Sequence, residues 1–268
     1  MTAQNLVYFH GQPGSPDELR LVSQHRDIAS IFAPDRSADR TDLSFEQYLD
    51  ALAGDILARF PSGSLRLIGF SMGAFVAMEI SIRLTAQALG RDIKLDLISP
   101  PAPLDTGNYL PHMAGGVVFN LAKSAPWAFR IMTGLQAKLA AAAPQLLYRQ
   151  LFSTAAGDDK ALAETADFEA VILALLDKTL RGEAKGYRRE VLAFVRSSAD
   201  RLTRVTAPVT LWQGTADNWT PPAMADALSH ALPNLQGHRR FQGLSHYSTL
   251  IAALTQILVI RPKTSSGT

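Results

Sequence analysis

The pentapeptide Gly69-Phe70-Ser71-Met72-Gly73 contains a serine that could act as a nucleophile. It directly follows the mostly apolar run 65–68 and directly precedes the apolar segment 74–78. This order predicts a buried strand, a sharp turn and a helix, with Ser71 held in a strained conformation that exposes its hydroxyl. The two glycines would let the strand and the helix approach closely. The first N–H groups of the helix could then stabilise an oxyanion.

A serine hydroxyl needs a general base, and the base needs an acidic partner that orients it. His246 follows the last predicted strand and precedes the last predicted helix, and Asp217 follows a predicted strand and the glycine turn at Gly214. In an open parallel sheet, loops at the carboxyl ends of the strands converge at one edge. We therefore predict that His246 is the base and Asp217 its partner, with Asp105 as the alternative acid.

A second oxyanion donor is expected from the turn-rich loop His10-Gly11-Gln12-Pro13-Gly14, which follows the first predicted strand. Proline has no N–H, so Gln12 is the predicted donor, together with Met72 beside the serine.

These residues must be positioned by alternating strands and helices, a pattern that predicts an α/β fold with a parallel sheet flanked by helices. Predicted strands are 6–9, 28–33, 65–68, 93–98, 208–212 and 237–241. Predicted helices flanking them are 17–24, 44–60, 72–89, 222–231 and 247–260. Ser44 and Gln47 form a capping-box pattern at the start of one of these helices.

The α/β alternation stops in the middle of the chain, where the pattern favours helices alone. We predict a core formed by residues 1–102 and 205–260, a helical cap or lid inserted at 103–204, and a flexible tail at 261–268. Helical stretches are expected at 117–121, 125–142, 168–180 and 187–195.

The four motifs together resemble those of the α/β-hydrolase fold superfamily: the loop 10–14, the pentapeptide 69–73, and the segments 214–217 and 243–246. The resemblance covers the chain outside the middle block and implies an acyl-enzyme mechanism on Ser71 with a helical cap over the site. The chain begins at the strand before the His-Gly loop, so the antiparallel strands that usually open this fold are expected to be missing.

The resemblance implies a serine hydrolase that cleaves a carboxylic ester of a small hydrophobic or aromatic substrate. Alternatives with the same site are an acyltransferase, a cofactor-free haloperoxidase or perhydrolase, a thioesterase, a lactonase or a C–C hydrolase; a non-catalytic receptor is disfavoured by the complete triad. Predicted pocket residues are Trp127, Phe119 and Trp219.

Composition excludes several other classes of function. The chain has 268 residues, a net charge of +2 and no cysteine, so it has no thiolate metal site and no strongly basic nucleic-acid footprint. No metal or organic cofactor is expected, because no paired-histidine helix or glycine-rich dinucleotide loop is present. A small-molecule substrate, no membrane span and a cytoplasmic location are the remaining expectations.

Overall fold

The computed structural model describes residues 4–23, 28–88 and 90–258. Within them, five parallel strands form one sheet whose spatial order follows the chain order. The strands are β1 (Gln4–Phe9), β2 (Ser64–Phe70), β3 (Ile93–Ile98), β4 (Val209–Gly214) and β5 (Leu235–Phe241). The α/β class with a parallel sheet, predicted from the sequence, is confirmed.

Helices follow the strands as parallel connections require. Four of them accompany the sheet: α1 (Phe45–Arg59), α2 (Met72–Gln87), α9 (Pro222–Ala231) and α10 (His246–Ile257). Six helices lie between β3 and β4: α3 (Gly116–Ser124), α4 (Pro126–Ala142), α5 (Pro144–Phe152), α6 (Asp159–Leu162), α7 (Ala166–Leu180) and α8 (Lys185–Phe194). The segment between Ile98 and Val209 contains no strand.

The prediction of a strand over residues 28–33 is wrong in its length. Only Phe32 pairs with the sheet, through an isolated parallel bridge to Val7. Its N–H donates to Leu6 O at 3.0 Å, and Tyr8 N–H donates to Phe32 O at 2.9 Å. A turn precedes this residue, and Pro34 soon follows it without an N–H to continue the ladder.

Several helix ends differ from the prediction or lie outside the described residues. The segment predicted as a helix at 17–24 forms a short 3-10 helix, Pro16–Leu21. Ser44 and Gln47 form the predicted capping box at the start of α1. Four predicted segments lie wholly or partly outside the described part of the chain: the tail 261–268, the last two residues of the helix predicted to end at 260, and the last residue of each helix predicted to end at 24 and 89.

The turn between β2 and α2 is tightly constrained. Ser71 has φ 52° and ψ −127°, a backbone conformation that residues other than glycine rarely adopt. An ideal Cβ on Gly69 would lie 2.5 Å from Gly73 O, and one on Gly73 would lie 2.0 Å from Phe9 O and 2.4 Å from His10 O. Glycine at both positions is therefore a steric requirement of the turn.

Close packing around this turn fixes the start of α2 over the carboxyl end of β1. Most of α2 is buried, and its contacts extend over β1, β2 and β3. The helix thus sits in the middle of the hydrophobic core, and its N-terminus emerges at the edge of the sheet where the strands end.

We predict that Gly73→Ala lowers the free energy of unfolding by about 3 kcal/mol, because the new methyl group would overlap two backbone carbonyls. Gly54→Ala is the matched control: Gly54 lies within α1 and has no atom within 4 Å of an added Cβ. That change should raise stability by up to about 1 kcal/mol. Denaturant titration of both variants measures the difference, and equal stabilities would contradict the steric account.

Candidate active site

The side chain of Ser71 lies at the carboxyl end of β2 and on the wall of a cavity of about 430 Å³. The cavity lies between the sheet edge and the helical segment that connects β3 to β4. Met72, the first residue of α2, also lines it. Since the first N–H groups of a helix have no partner within the helix, the Met72 N–H is a candidate donor to a ligand beside Ser71.

The structure brings His246 and Asp217 together. His246 Nδ1 lies 2.9 Å from Asp217 Oδ2 and 3.2 Å from Oδ1, and both side chains are almost completely buried. Because an ionised carboxylate can only accept, His246 Nδ1 carries the proton in this pair. The lone pair of the other ring nitrogen, Nε2, is then free to accept a proton from a hydroxyl group.

Asp217 is held in the ionised form by its surroundings. Burial alone would raise its pKa, but the electrostatic interaction and hydrogen bond with His246, and the hydrogen bond from Thr220 N–H, keep the pKa below its ordinary value. The N–H groups of Trp219 and Thr220 donate to Asp217 Oδ1 at 2.9 and 3.0 Å. A carboxylate that accepts several N–H bonds is stabilised in its charged form.

Two aromatic rings hold the imidazole of His246 in place. The ring of Phe70, the residue before Ser71, is centred 4.6 Å from the His246 ring. The ring of Trp219 stacks against it at 5.8 Å with an interplanar angle of 21°. The imidazole is therefore packed next to the turn that carries Ser71.

The N-terminus of α10, where His246 stands, is capped from the inserted segment. Asp159 is fully buried and accepts hydrogen bonds from Tyr247 N–H at 3.0 Å and from Ser248 N–H at 2.8 Å. The Ser248 hydroxyl donates to the same carboxylate at 2.6 Å. Asp159 thus acts as an N-terminal cap supplied by a distant part of the chain.

The loop after β1 is anchored below the site by Glu18. Its carboxylate accepts the Gly11 N–H at 2.9 and 3.1 Å and the Tyr8 hydroxyl at 2.8 Å. Burial raises the pKa of Glu18 to about 7, although these donors, Arg36 and His246 all oppose the increase.

Gln12 lines the cavity, and two hydrogen bonds of its side chain fix its position. Its Nε2 group donates to Glu190 Oε2 at 3.1 Å, and its Oε1 accepts the Ser37 hydroxyl at 3.2 Å. Glu190 belongs to α8 and pairs with Arg36 at 3.4 Å in a fully buried ion pair. Burial raises the pKa of Glu190, while Arg36 and Arg189 act against that shift.

The cavity wall is mainly apolar. Of the described residues that line it, none is Asp, Glu, Lys, Arg or His. Polar lining comes from uncharged side chains, namely Gln12, Ser71, Gln136, Gln150, Ser153, Thr154 and Thr220. Helices α3, α4, α5 and α7 and Tyr187 of α8 supply most of the apolar surface.

Two of the three predicted pocket residues, Phe119 and Trp219, line this cavity. The prediction for Trp127 is wrong: its side chain is 71% exposed and is not part of the cavity wall. Helix α4 turns Met132 and Gln136 towards the cavity instead, while Trp127 projects from its outer face.

Asp105, the alternative acid, lies elsewhere and accepts a hydrogen bond from Ala199 N–H at 3.1 Å. His230 is on α9 and His238 within β5, and His25 lies outside the described residues. In the described ranges, no group of three or more His, Cys, Asp or Glu side chains could hold a metal ion.

No described helix is long and apolar enough to cross a bilayer.

Sequence reasoning missed Thr220, Asp159 and Glu190. Thr220 carries a local signal, because an Asp followed three residues later by Thr is typical of a side-chain-stabilised turn. Asp159 and Glu190 reach the site only through tertiary packing, and the residues around them give no local pattern that would identify them.

Comparison with a protein-family model gives a partial match. A model described as a thioesterase domain matches residues 5–103, which is less than half of the chain. This segment contains the loop 10–14 and the turn at Ser71. No curated protein sequence matches the chain significantly.

Solved structures match over nearly the whole chain at low sequence identity. A bromoperoxidase from Bacillus anthracis is 15% identical with a TM-score of 0.63, over 96% of this chain and 89% of that one. MenH from S. aureus is 16% identical with a TM-score of 0.63, over 97% and 93%. An esterase from Exiguobacterium antarcticum is 13% identical with a TM-score of 0.61, over 96% and 91%. The parallel sheet, the turn at Ser71 and these similarities show that the chain has the α/β-hydrolase fold, which its motifs predicted.

Proposed function

We propose that this protein is a serine hydrolase that cleaves a carboxylic ester with an uncharged, hydrophobic acyl group. The observation that carries the proposal is that Ser71 lies on the wall of an uncharged cavity, while the ring of Phe70, the residue before it, packs against the His246 ring of the buried His246–Asp217 pair. Nucleophile, base and orienting acid are the three groups that acyl transfer through a serine requires.

In the proposed acylation step, Ser71 Oγ attacks the ester carbonyl and His246 Nε2 takes the serine proton. The carbonyl oxygen becomes an oxyanion that accepts hydrogen bonds from the N–H groups of Gln12 and Met72. When the C–O bond to the leaving group breaks, His246 returns the proton to the departing alkoxide, and the acyl group remains on Ser71.

In the proposed deacylation step, a water molecule gives a proton to His246 Nε2 and attacks the acyl carbon. The same N–H groups stabilise the second oxyanion. The Ser71–acyl bond breaks, His246 returns the proton to Ser71 Oγ, and the carboxylic acid leaves. Asp217 stays ionised throughout and stabilises the imidazolium form of His246.

The cavity determines the proposed substrate class. Desolvating a charged group in a cavity without an opposite charge is costly, so the uncharged wall disfavours substrates with a carboxylate or phosphate on the acyl side. Its volume of about 430 Å³ is within the range of sites that enclose small organic molecules. We propose that residues 103–204 act as the cap whose helices form the acyl pocket.

A thioester substrate is the second candidate. It is favoured by the match of residues 5–103 to the thioesterase-domain model, and the same steps apply with a thiolate as the leaving group. The two candidates share the acyl pocket and differ only in the leaving group.

The two candidates can be separated by a panel of p-nitrophenyl esters of graded acyl length, assayed with N-acetylcysteamine thioesters and lactones of the same acyl groups. An ester hydrolase should have the highest kcat/KM on the esters, and a thioesterase on the thioesters. If no member of the panel is hydrolysed faster than in buffer, hydrolysis is contradicted.

We predict that Ser71→Ala and Asp217→Asn each lower kcat by roughly 10⁴ or more on the best ester, because each removes a member of the same catalytic unit. Asp105→Asn is the matched control and should stay within about twofold of the wild type, since surface changes away from the site have small effects. A large loss in Asp105→Asn, with Asp217→Asn active, would reverse the assignment.

We predict that Asp159→Ala lowers kcat about tenfold with little change in KM, because α10 loses its cap and the His246 ring is no longer held in register. The neighbouring Asp158, which is exposed, provides the control Asp158→Ala. Identical kcat and KM values for the two variants would show that the Asp159 contact does not position His246.

We predict that Met132→Ala shifts the preferred acyl length by changing the ratio of kcat/KM between long and short esters about tenfold. Met132 lines the cavity, whereas its neighbour Ile131 is exposed on the outer face of α4. Ile131→Ala should therefore leave the ratio unchanged. If neither variant alters it, acyl specificity does not come from α4.

A further inference from the structure

Helices α3, α4 and α5 present an exposed apolar surface. In the described part of the chain, the large apolar side chains that are most exposed all lie here: Val117, Trp127, Ile131, Leu135 and Leu146. Three of them follow one another at intervals of four residues along α4 and so form one stripe on its outer face. We call the outer face of α3–α5 that carries these five side chains the apolar face.

The same segment carries only positive charge. Residues 106–157 contain Lys123, Arg130, Lys138 and Arg149 and not a single Asp or Glu. All four side chains are exposed, and none forms an ion pair within the described residues. On α4, Arg130 and Lys138 stand three and eleven residues after Trp127, which places them along the stripe. The surface is therefore complementary to an apolar partner that carries negative charge.

The apolar face adjoins the cavity that contains Ser71. Val117 is largely exposed and also lines the cavity, so the cavity reaches the surface on this side. Met132 and Gln136 line it from the helix whose outer face carries the stripe. A partner bound to the apolar face would lie next to the opening of the cavity.

We propose that the apolar face docks on a lipid bilayer that contains anionic headgroups. A helix with a tryptophan and aliphatic side chains flanked by Lys and Arg is typical of a segment that lies in a membrane interface. A second copy of the chain is a poorer occupant, because a two-fold contact would bring the same unpaired positive charges together. Vesicle binding is measured without substrate, so the proposal does not depend on hydrolytic activity.

The test is co-sedimentation of the full chain with vesicles of phosphatidylcholine alone or with about one-third phosphatidylglycerol. Binding to the anionic vesicles should be at least about tenfold tighter and should weaken as salt is raised. Of the three tryptophans, Trp127 is exposed, Trp212 is buried and Trp219 is partly buried in the cavity wall, so a blue shift of tryptophan emission on binding should come mainly from Trp127. Trp127→Phe should abolish most of that shift.

Paired variants separate the two parts of the interaction. Ile131→Ser/Leu135→Ser should remove most binding to both vesicle types. Arg130→Gln/Lys138→Gln should weaken binding to anionic vesicles by about tenfold or more, since each basic side chain near an anionic surface contributes about 1 kcal/mol.

The matched control is Arg59→Gln/Lys94→Gln, which removes two positive charges at the opposite end of the sheet, where α1 ends and β3 begins. This control should bind as the wild type does. Circular dichroism of each variant checks that the fold is retained.

The proposal would be overturned by no binding to anionic vesicles, equal binding to neutral ones, wild-type binding by both α4 variants, or equal losses in the control. A concentration-dependent dimer that the Ile131→Ser/Leu135→Ser variant cannot form would assign the surface to a second copy instead. Binding to soluble polyglutamate without binding to vesicles would assign it to an acidic macromolecule. Either outcome would contradict docking of the apolar face on a lipid bilayer.

Discussion

The contact between the start of α2 and the end of β1 is the constraint on which the site depends. Gly73 lies so close to the carbonyls of Phe9 and His10 that a methyl group has no room there. This contact fixes the helix N-terminus at the sheet edge, and with it the unusual backbone conformation of Ser71. The loop after β1 is brought beside the same turn. Close contact between these two backbone segments therefore brings Met72 and Gln12 to the wall of one cavity.

The segment between β3 and β4 is part of the site and not merely its cover. It supplies Asp159, which caps the helix of His246, and Glu190, which holds the side chain of Gln12. Both carboxylates are fully buried, and leaving their partners unsatisfied would be costly. Movement of this segment would consequently alter the geometry of the proposed base and of the proposed oxyanion site together. Substrate entry and catalytic geometry are thus expected to be coupled.

Local sequence patterns predicted much of the fold because strand and helix bounds and helix caps depend mainly on residues that are close in the sequence. Strand β3 and helix α9 have the predicted bounds, and the capping box of α1 is present. The bridge at Phe32 shows one limit of prediction from local patterns: its apolar neighbours suggest a strand, but a turn and a proline leave room for only one paired residue.

The position of Trp127 shows a second limit of prediction from local patterns. Helix α4 has apolar side chains on both its inner and its outer face, so periodicity alone cannot tell which face is buried. The contacts of Asp159 and Glu190 join residues far apart in the sequence, and no short motif encodes them.

The role proposed for Ser71 as the activated nucleophile can be measured by active-site labelling, which needs no knowledge of the substrate. A fluorophosphonate should add once per chain, and peptide mass spectrometry should place the adduct on Ser71. His246→Ala should slow the labelling by orders of magnitude, since a serine without its base is a weak nucleophile. Labelling at another serine, or an unchanged rate in His246→Ala, would contradict the assignment of Ser71 as the nucleophile activated by His246.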